Sequence, residues 1–158
     1  MTEYSEILKK SIPTKQEESS GYITIKGEVN IFDKMKNMIN DTKNHMYIAV
    51  SEQTLSVIIN EVKDAIKRGL KVVIITSPPF SLEGAKIYYT ETEGHQIRLI
   101  TDSKNVLTGD TAFGSESTCL YSQKHNLVEL FKESLKNEIK LIDVMKGSNH
   151  IEKNICKP

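Results

Sequence analysis

Two apolar runs constrain this chain more than anything else in it. Met46-Tyr47-Ile48-Ala49-Val50 and Val72-Val73-Ile74-Ile75 contain no charged residue, the pattern of strands covered on both faces. Between them Leu55, Ile58, Ile59, Val62 and Ile66 recur at helical spacing and line one stripe. Ser51 stands where an N-cap belongs, and Arg68-Gly69 puts a cation and then a glycine at the far end. A helix of that length between buried strands implies a crossover between parallel neighbours. A strand at Tyr22-Ile23-Thr24-Ile25 and a helix bearing Ile31, Met35, Met38 and Ile39 precede this unit. Asn30 followed by Asp33 reads as the start of that helix.

Beyond Pro78-Pro79 the pattern changes. Ala85 to Thr90, Gln96 to Thr101, Val106 to Thr108 and Thr118 to Tyr121 are short strand candidates with no helix between them. They are expected to pair antiparallel or at the sheet edge. A long amphipathic helix closes the chain from about Asn126, with Glu129 completing a capping box and Gly147 expected to end it. The fold class is therefore α/β: a mixed sheet with an N-terminal β-α-β-α-β parallel part, later short antiparallel strands and a long C-terminal helix. Residues 1–20 read as a linker or short helix, because Ile12-Pro13 and the polar run to Ser20 offer little that packs. Residues 21–147 are the expected domain and 148–158 a polar tail.

Charge bounds the function. Twenty-one basic residues face twenty-one acidic ones, so this stretch lacks the net basicity with which a protein neutralises phosphates. Direct DNA binding by these residues is disfavoured. No apolar run approaches the ~20 residues that cross a bilayer, so no membrane role is expected. Cys119 and Cys156 lack metal spacing and could pair in a secreted protein, but no signal-like segment opens the chain; both read as reduced thiols of a cytoplasmic protein.

Candidate ligand residues gather where strands end. Ser51 and Glu52 lie where a buried strand meets a helix N-terminus, and Thr76 and Ser77 end the next parallel strand. Ligands collect at that edge of open α/β sheets, and a helix end favours anionic or hydroxyl-rich partners. Ser51 also serves simply as a cap. His95 follows Glu93-Gly94 and marks a strand start, while Asp102-Ser103-Lys104-Asn105 reads as a turn. Glu83, Glu91 and Glu93 read as a solvated cluster. His45, His125 and His150 lack ligand spacing for zinc. No metal or cofactor is implied.

Several segments taken in order resemble one family. Gly21-Tyr22-Ile23-Thr24-Ile25-Lys26-Gly27, Ile66-Lys67-Arg68-Gly69-Leu70-Lys71-Val72-Val73 and Arg98-Leu99-Ile100-Thr101-Asp102-Ser103, with Leu107-Thr108-Gly109, Leu120-Tyr121-Ser122 and Asn126-Leu127-Val128, are similar to the C-terminal portion of TrmB-like transcriptional regulators. The resemblance implies an effector domain related in fold to phospholipase D. It also implies a winged helix-turn-helix upstream of the linker, through which alone DNA would be bound. A small-molecule effector (a sugar or phosphorylated metabolite) and a homodimer are its further implications.

The phospholipase D superfamily carries His-x-Lys-x4-Asp, then six residues and Gly-Ser-x-Asn. His95, Asp102 and Gly109 stand in that register, but Ile97, Asp110 and Ala112 occupy the lysine, serine and asparagine positions. Phosphodiester transfer needs a histidine nucleophile with cationic and amide donors on the phosphate. Ile97 cannot hold a phosphate and Asp110 would repel one. The expectation is thus a non-catalytic sensing or dimerisation domain. The alternative is a single-motif phosphodiesterase acting as a dimer, and Ile97 is the residue that counts against it.

Overall fold

The computed structural model describes residues 21–91 and 95–156. Its elements run β1 (Ile23–Lys26), α1 (Glu28–Asp41), β2 (His45–Val50), α2 (Glu52–Lys67), β3 (Lys71–Thr76), β4 (Lys86–Tyr89), β5 (Gln96–Thr101), β6 (Asn105–Asp110), a 3-10 turn (Gly114–Glu116), β7 (Thr118–Ser122) and α3 (His125–Cys156). The seven strands form one mixed sheet in the order β1-β7-β6-β5-β2-β3-β4. The expected helix at the extreme N-terminus lies outside the described residues.

The β2-α2-β3 unit is built as its sequence dictates. β2 and β3 pair in parallel, with Met46 beside Val72 and Ile48 beside Ile74. Ser51 Oγ accepts the Thr54 backbone N–H at 3.3 Å, and Gly69 takes φ of +86° just past the C-cap Arg68, where a side chain would be strained. Leu55, Ile58, Val62 and Ala65 are buried from α2. They pack with Ile31, Met35 and Ile39 of α1 onto one sheet face. The other face is covered by α3, whose Val128, Leu135, Ile139 and Ile142 meet Ala49, Ile75, Ile100 and Val106. Each fully buried aliphatic side chain contributes about 1.5–3 kcal/mol.

The structure departs from the expectations at four places. β1 runs in the same direction as β2 but lies at the far edge, paired antiparallel with β7; a crossover fixes direction, not adjacency. β4 sits at the opposite edge, as one expectation had it, yet it pairs parallel to β3. The nine residues between them reach ~30 Å when extended, enough to return past a strand of about 20 Å without a helix. α1 begins at Glu28, not Asn30: Gly27 is its N-cap with no side-chain bond, and the Asn30 amide instead donates to the Lys26 carbonyl at 2.9 Å. Finally, α3 starts at His125 and passes through Gly147 to Cys156. An interior glycine costs a helix only ~1 kcal/mol, so it ends one only when the backbone turns left-handed there.

One further contact ties the α1–α2 layer together. The Arg68 guanidinium donates to the Ile39 and Thr42 carbonyls, each at 3.0 Å. It thereby caps the C-terminus of α1 with a cation from α2.

Candidate ligand site at the mouth of the sheet

The strand register gathers most of the candidate residues at one end. β2 and β3 run parallel and end at Val50 and Thr76, while β5 is antiparallel and starts at Gln96, with Val50 opposite Ile97. Ser51, Glu52, Thr76, Ser77 and His95 therefore share one mouth. β1 and β6 also end there, at Lys26 and Asp110, so α1 and α2 both present N-terminal ends to this side.

The mouth has a polar floor. Ser51 is buried, and its Oγ lies 3.3 Å from the hydroxyl of the buried Thr54. Thr76 is wholly buried, on the same strand face as Val72 and Ile74, and its Oγ1 has no hydrogen-bond partner in the structure. A buried hydroxyl without a partner costs about 1–3 kcal/mol, so Thr76 is a position with unmet polar demand. Glu52 is exposed at the first position of α2, Ser77 is half-buried, and His95 is exposed one residue before β5. The His95 carbonyl accepts the Thr111 backbone N–H at 3.0 Å.

Asp102 is not part of this mouth. It lies in the β5–β6 turn at the other end of the sheet, about 20 Å away for a six-residue strand. Asp102 and Ser103 take φ of 55° and 53°, and Lys104 N–H bonds back to the Thr101 carbonyl at 3.0 Å, as a primed hairpin turn requires. The carboxylate accepts backbone N–H groups from Lys43 at 2.9 Å, Asn44 at 2.8 Å and His45 at 3.2 Å. Burial pushes its pKa up, but those three donors and the His45 charge together pull it below its ordinary value. Asp102 braces the turn before β2.

The remaining residues of the shared spacing have structural duties. Ile97 is fully buried with Leu99 and Leu107 under the α1–α2 layer. A Cβ at Gly109 would come within 2.5 Å of both Cys119 Sγ and the Thr118 carbonyl, so glycine is what lets β7 approach. Asp110 accepts the Ala112 backbone N–H at 2.7 Å. Cys119 is a buried core side chain, and that burial leads in pushing its thiol up to about 11. Glu83 and Glu91 are exposed; Glu93 and His150 lie outside the residues whose side chains are described. His45 bonds Ser103 Oγ at 2.9 Å, and no group of metal-ligating side chains occurs among the described residues.

A second polar feature lies outside the residues that the sequence singles out. Arg98, on the α3 face of β5, grips Glu138 of α3 through two bonds of 2.9 and 3.1 Å, with both side chains about three-quarters buried. The pair borders a cavity of about 200 Å³ with Ala49, Val50, Thr90, Glu91 and Gln96. The signal was present: a carboxylate between Leu135 and Ile142, on the apolar side of a helix, needs a cation to face it.

Comparison with known proteins decides the family. The model for the transcriptional regulator TrmB, EBD N-terminal subdomain, matches residues 21–138. The chain belongs to that family. No curated protein matches the sequence. Among solved structures this TrmB-family domain is similar to TrmBL2, an archaeal chromatin protein described as showing a novel mode of DNA binding. The TM-score is 0.62 and the identity 15%, over 86% of this chain and 64% of that one; the chain thus spans less than two-thirds of TrmBL2. It is also similar to Nuc from Salmonella typhimurium, a phospholipase D family member (TM-score 0.59, 16% identity, 73% of this chain and 91% of that one). NucT from Helicobacter pylori gives a TM-score of 0.58 at 17% identity, over 75% of this chain and 94% of that one. At these identities the likenesses show the fold, which is phospholipase D-like. No described helix is long and apolar enough to cross a membrane.

Proposed function

We propose that this TrmB-family domain is the effector-sensing or dimerisation part of a transcriptional regulator. It is non-catalytic, works in the cytoplasm as a homodimer, and meets DNA only through a winged helix-turn-helix attached upstream of the linker at residues 1–20. The observation that carries the non-catalytic half is Ile97. Where a phosphodiesterase needs a cation, this chain puts a fully buried aliphatic side chain into the α1–α2 core, and Asp110 adds a like charge beside any phosphate. The family match supports the regulatory half.

The mouth is the effector site on this reading. Ser51, Glu52, Thr76, Ser77 and His95 surround it, two helix N-termini face it, and the unpartnered Thr76 hydroxyl is its deepest donor. Asp102 takes no part. Thermal unfolding in the presence of sugars and phosphorylated metabolites tests the proposal. A true effector at a hundred times its dissociation constant adds about 2.7 kcal/mol, and Thr76→Val, which keeps the shape and removes the hydroxyl, loses most of that gain. A uniform absence of shift across the panel would leave assembly as the domain's whole role.

A further inference from the structure

Among the described residues nothing covers the outer face of α3. Leu130, Leu141, Val144 and Met145 are 64%, 59%, 63% and 56% exposed, and all lie along one side of the helix. From Leu130 the alternating four- and three-residue steps pass Ser134, Asn137, Leu141 and Val144, the spacing of a coiled-coil seam. That seam is separate from the stripe of Val128, Leu135, Ile139 and Ile142 that binds the sheet. One flank of the seam carries Glu133 and, seven residues on at the same helical position, Lys140. Both are exposed, and neither makes an ion pair among the described residues.

The geometry points to a second copy of this chain as the occupant, with the two α3 helices crossing antiparallel about a two-fold axis near Lys136. This rests on reading the domain as an assembly module and adds which surface assembles it. In that arrangement Leu130 meets the partner's Leu141, and the contact repeats in reverse across the axis. Glu133 then faces the partner's Lys140 twice over. Parallel pairing would instead set Glu133 beside the partner's Glu138, whose carboxylate Arg98 already holds, and would leave Glu133 without a cation. The charge pattern therefore selects the antiparallel dimer. Its apolar strip is narrow, so association is concentration-dependent.

Sedimentation equilibrium of the full chain, over a wide range of concentration, tests the proposal with paired charge variants. Glu133→Lys and Lys140→Glu each turn two attractive pairs repulsive and should weaken self-association roughly tenfold. Mixed together, they should form a heterodimer of wild-type strength, because every pair is then restored. Leu141→Glu should weaken the dimer roughly a hundredfold with unchanged circular dichroism, since the side chain is exposed. A monomer at all concentrations overturns the inference, as does a dimer indifferent to Leu141→Glu and to the charge variants. A monomer that nevertheless shifts with an effector sinks this interface while leaving effector sensing intact.

Discussion

At the residue scale the most telling position is Asp102, because its spacing to His95 suggests chemistry and its contacts show bracing. Three backbone donors converge on one part-exposed carboxylate. Asp102→Ala should cost about 1–2 kcal/mol at neutral pH, after discounting the charge-assisted bonds for solvent. The pKa of Asp102 is lowered in the fold, so its contribution is present above the ordinary carboxylate range and is lost as the pH falls through the folded value. Urea titrations of wild type and Asp102→Asn from neutral to strongly acidic pH should therefore converge at the acid end. A difference that widens with acid would contradict the assignment. Ile97 teaches the companion lesson: a spacing can persist for packing reasons, because strand alternation sends this position into the core.

At the element scale the sequence was most legible where local rules and tertiary packing agree. Ser51 as cap, the stripe of α2 and the stop at Arg68-Gly69 were all readable, since each rests on neighbours in sequence. Legibility failed where an element is set by what it meets. Gly27 could cap α1 because β1 delivers it to the Ser117 carbonyl at 2.7 Å, and no local signal at Asn30 competes with that. β4 lies parallel to β3 because its nine-residue loop suffices to return past it, which no composition rule reveals. The Arg98–Glu138 pair joins α3 to β5 and carries its own prediction. Glu138→Ala strands a largely buried guanidinium whose Nε already lacks a partner, and should destabilise by about 2–3 kcal/mol. Replacing both residues, as Arg98→Met with Glu138→Leu, should recover most of the loss in chemical denaturation. Equal losses for single and double variants would show that the pair contributes only side-chain volume.

At the scale of the whole molecule, the sheet order was beyond sequence reasoning, yet it is what defines the candidate site. Only the pairing of β5 antiparallel to β2 brings His95 to the side of Ser51 and Thr76 and sends Asp102 to the opposite end. Five of the six candidate residues lie at one end of the sheet, where strands end or begin; the sixth, Asp102, lies at the other because the six residues of β5 stand between it and His95. The molecule is a phospholipase D-like sheet with the proposed effector mouth at one end and the exposed apolar face of α3 alongside. Absence of phosphodiester hydrolysis is the sharpest consequence of the proposed function. The direct measurement is turnover of bis(p-nitrophenyl) phosphate by the purified full chain, beside its His95→Ala variant. Both should release nitrophenolate no faster than buffer; release by the wild type that His95→Ala abolishes would contradict the account.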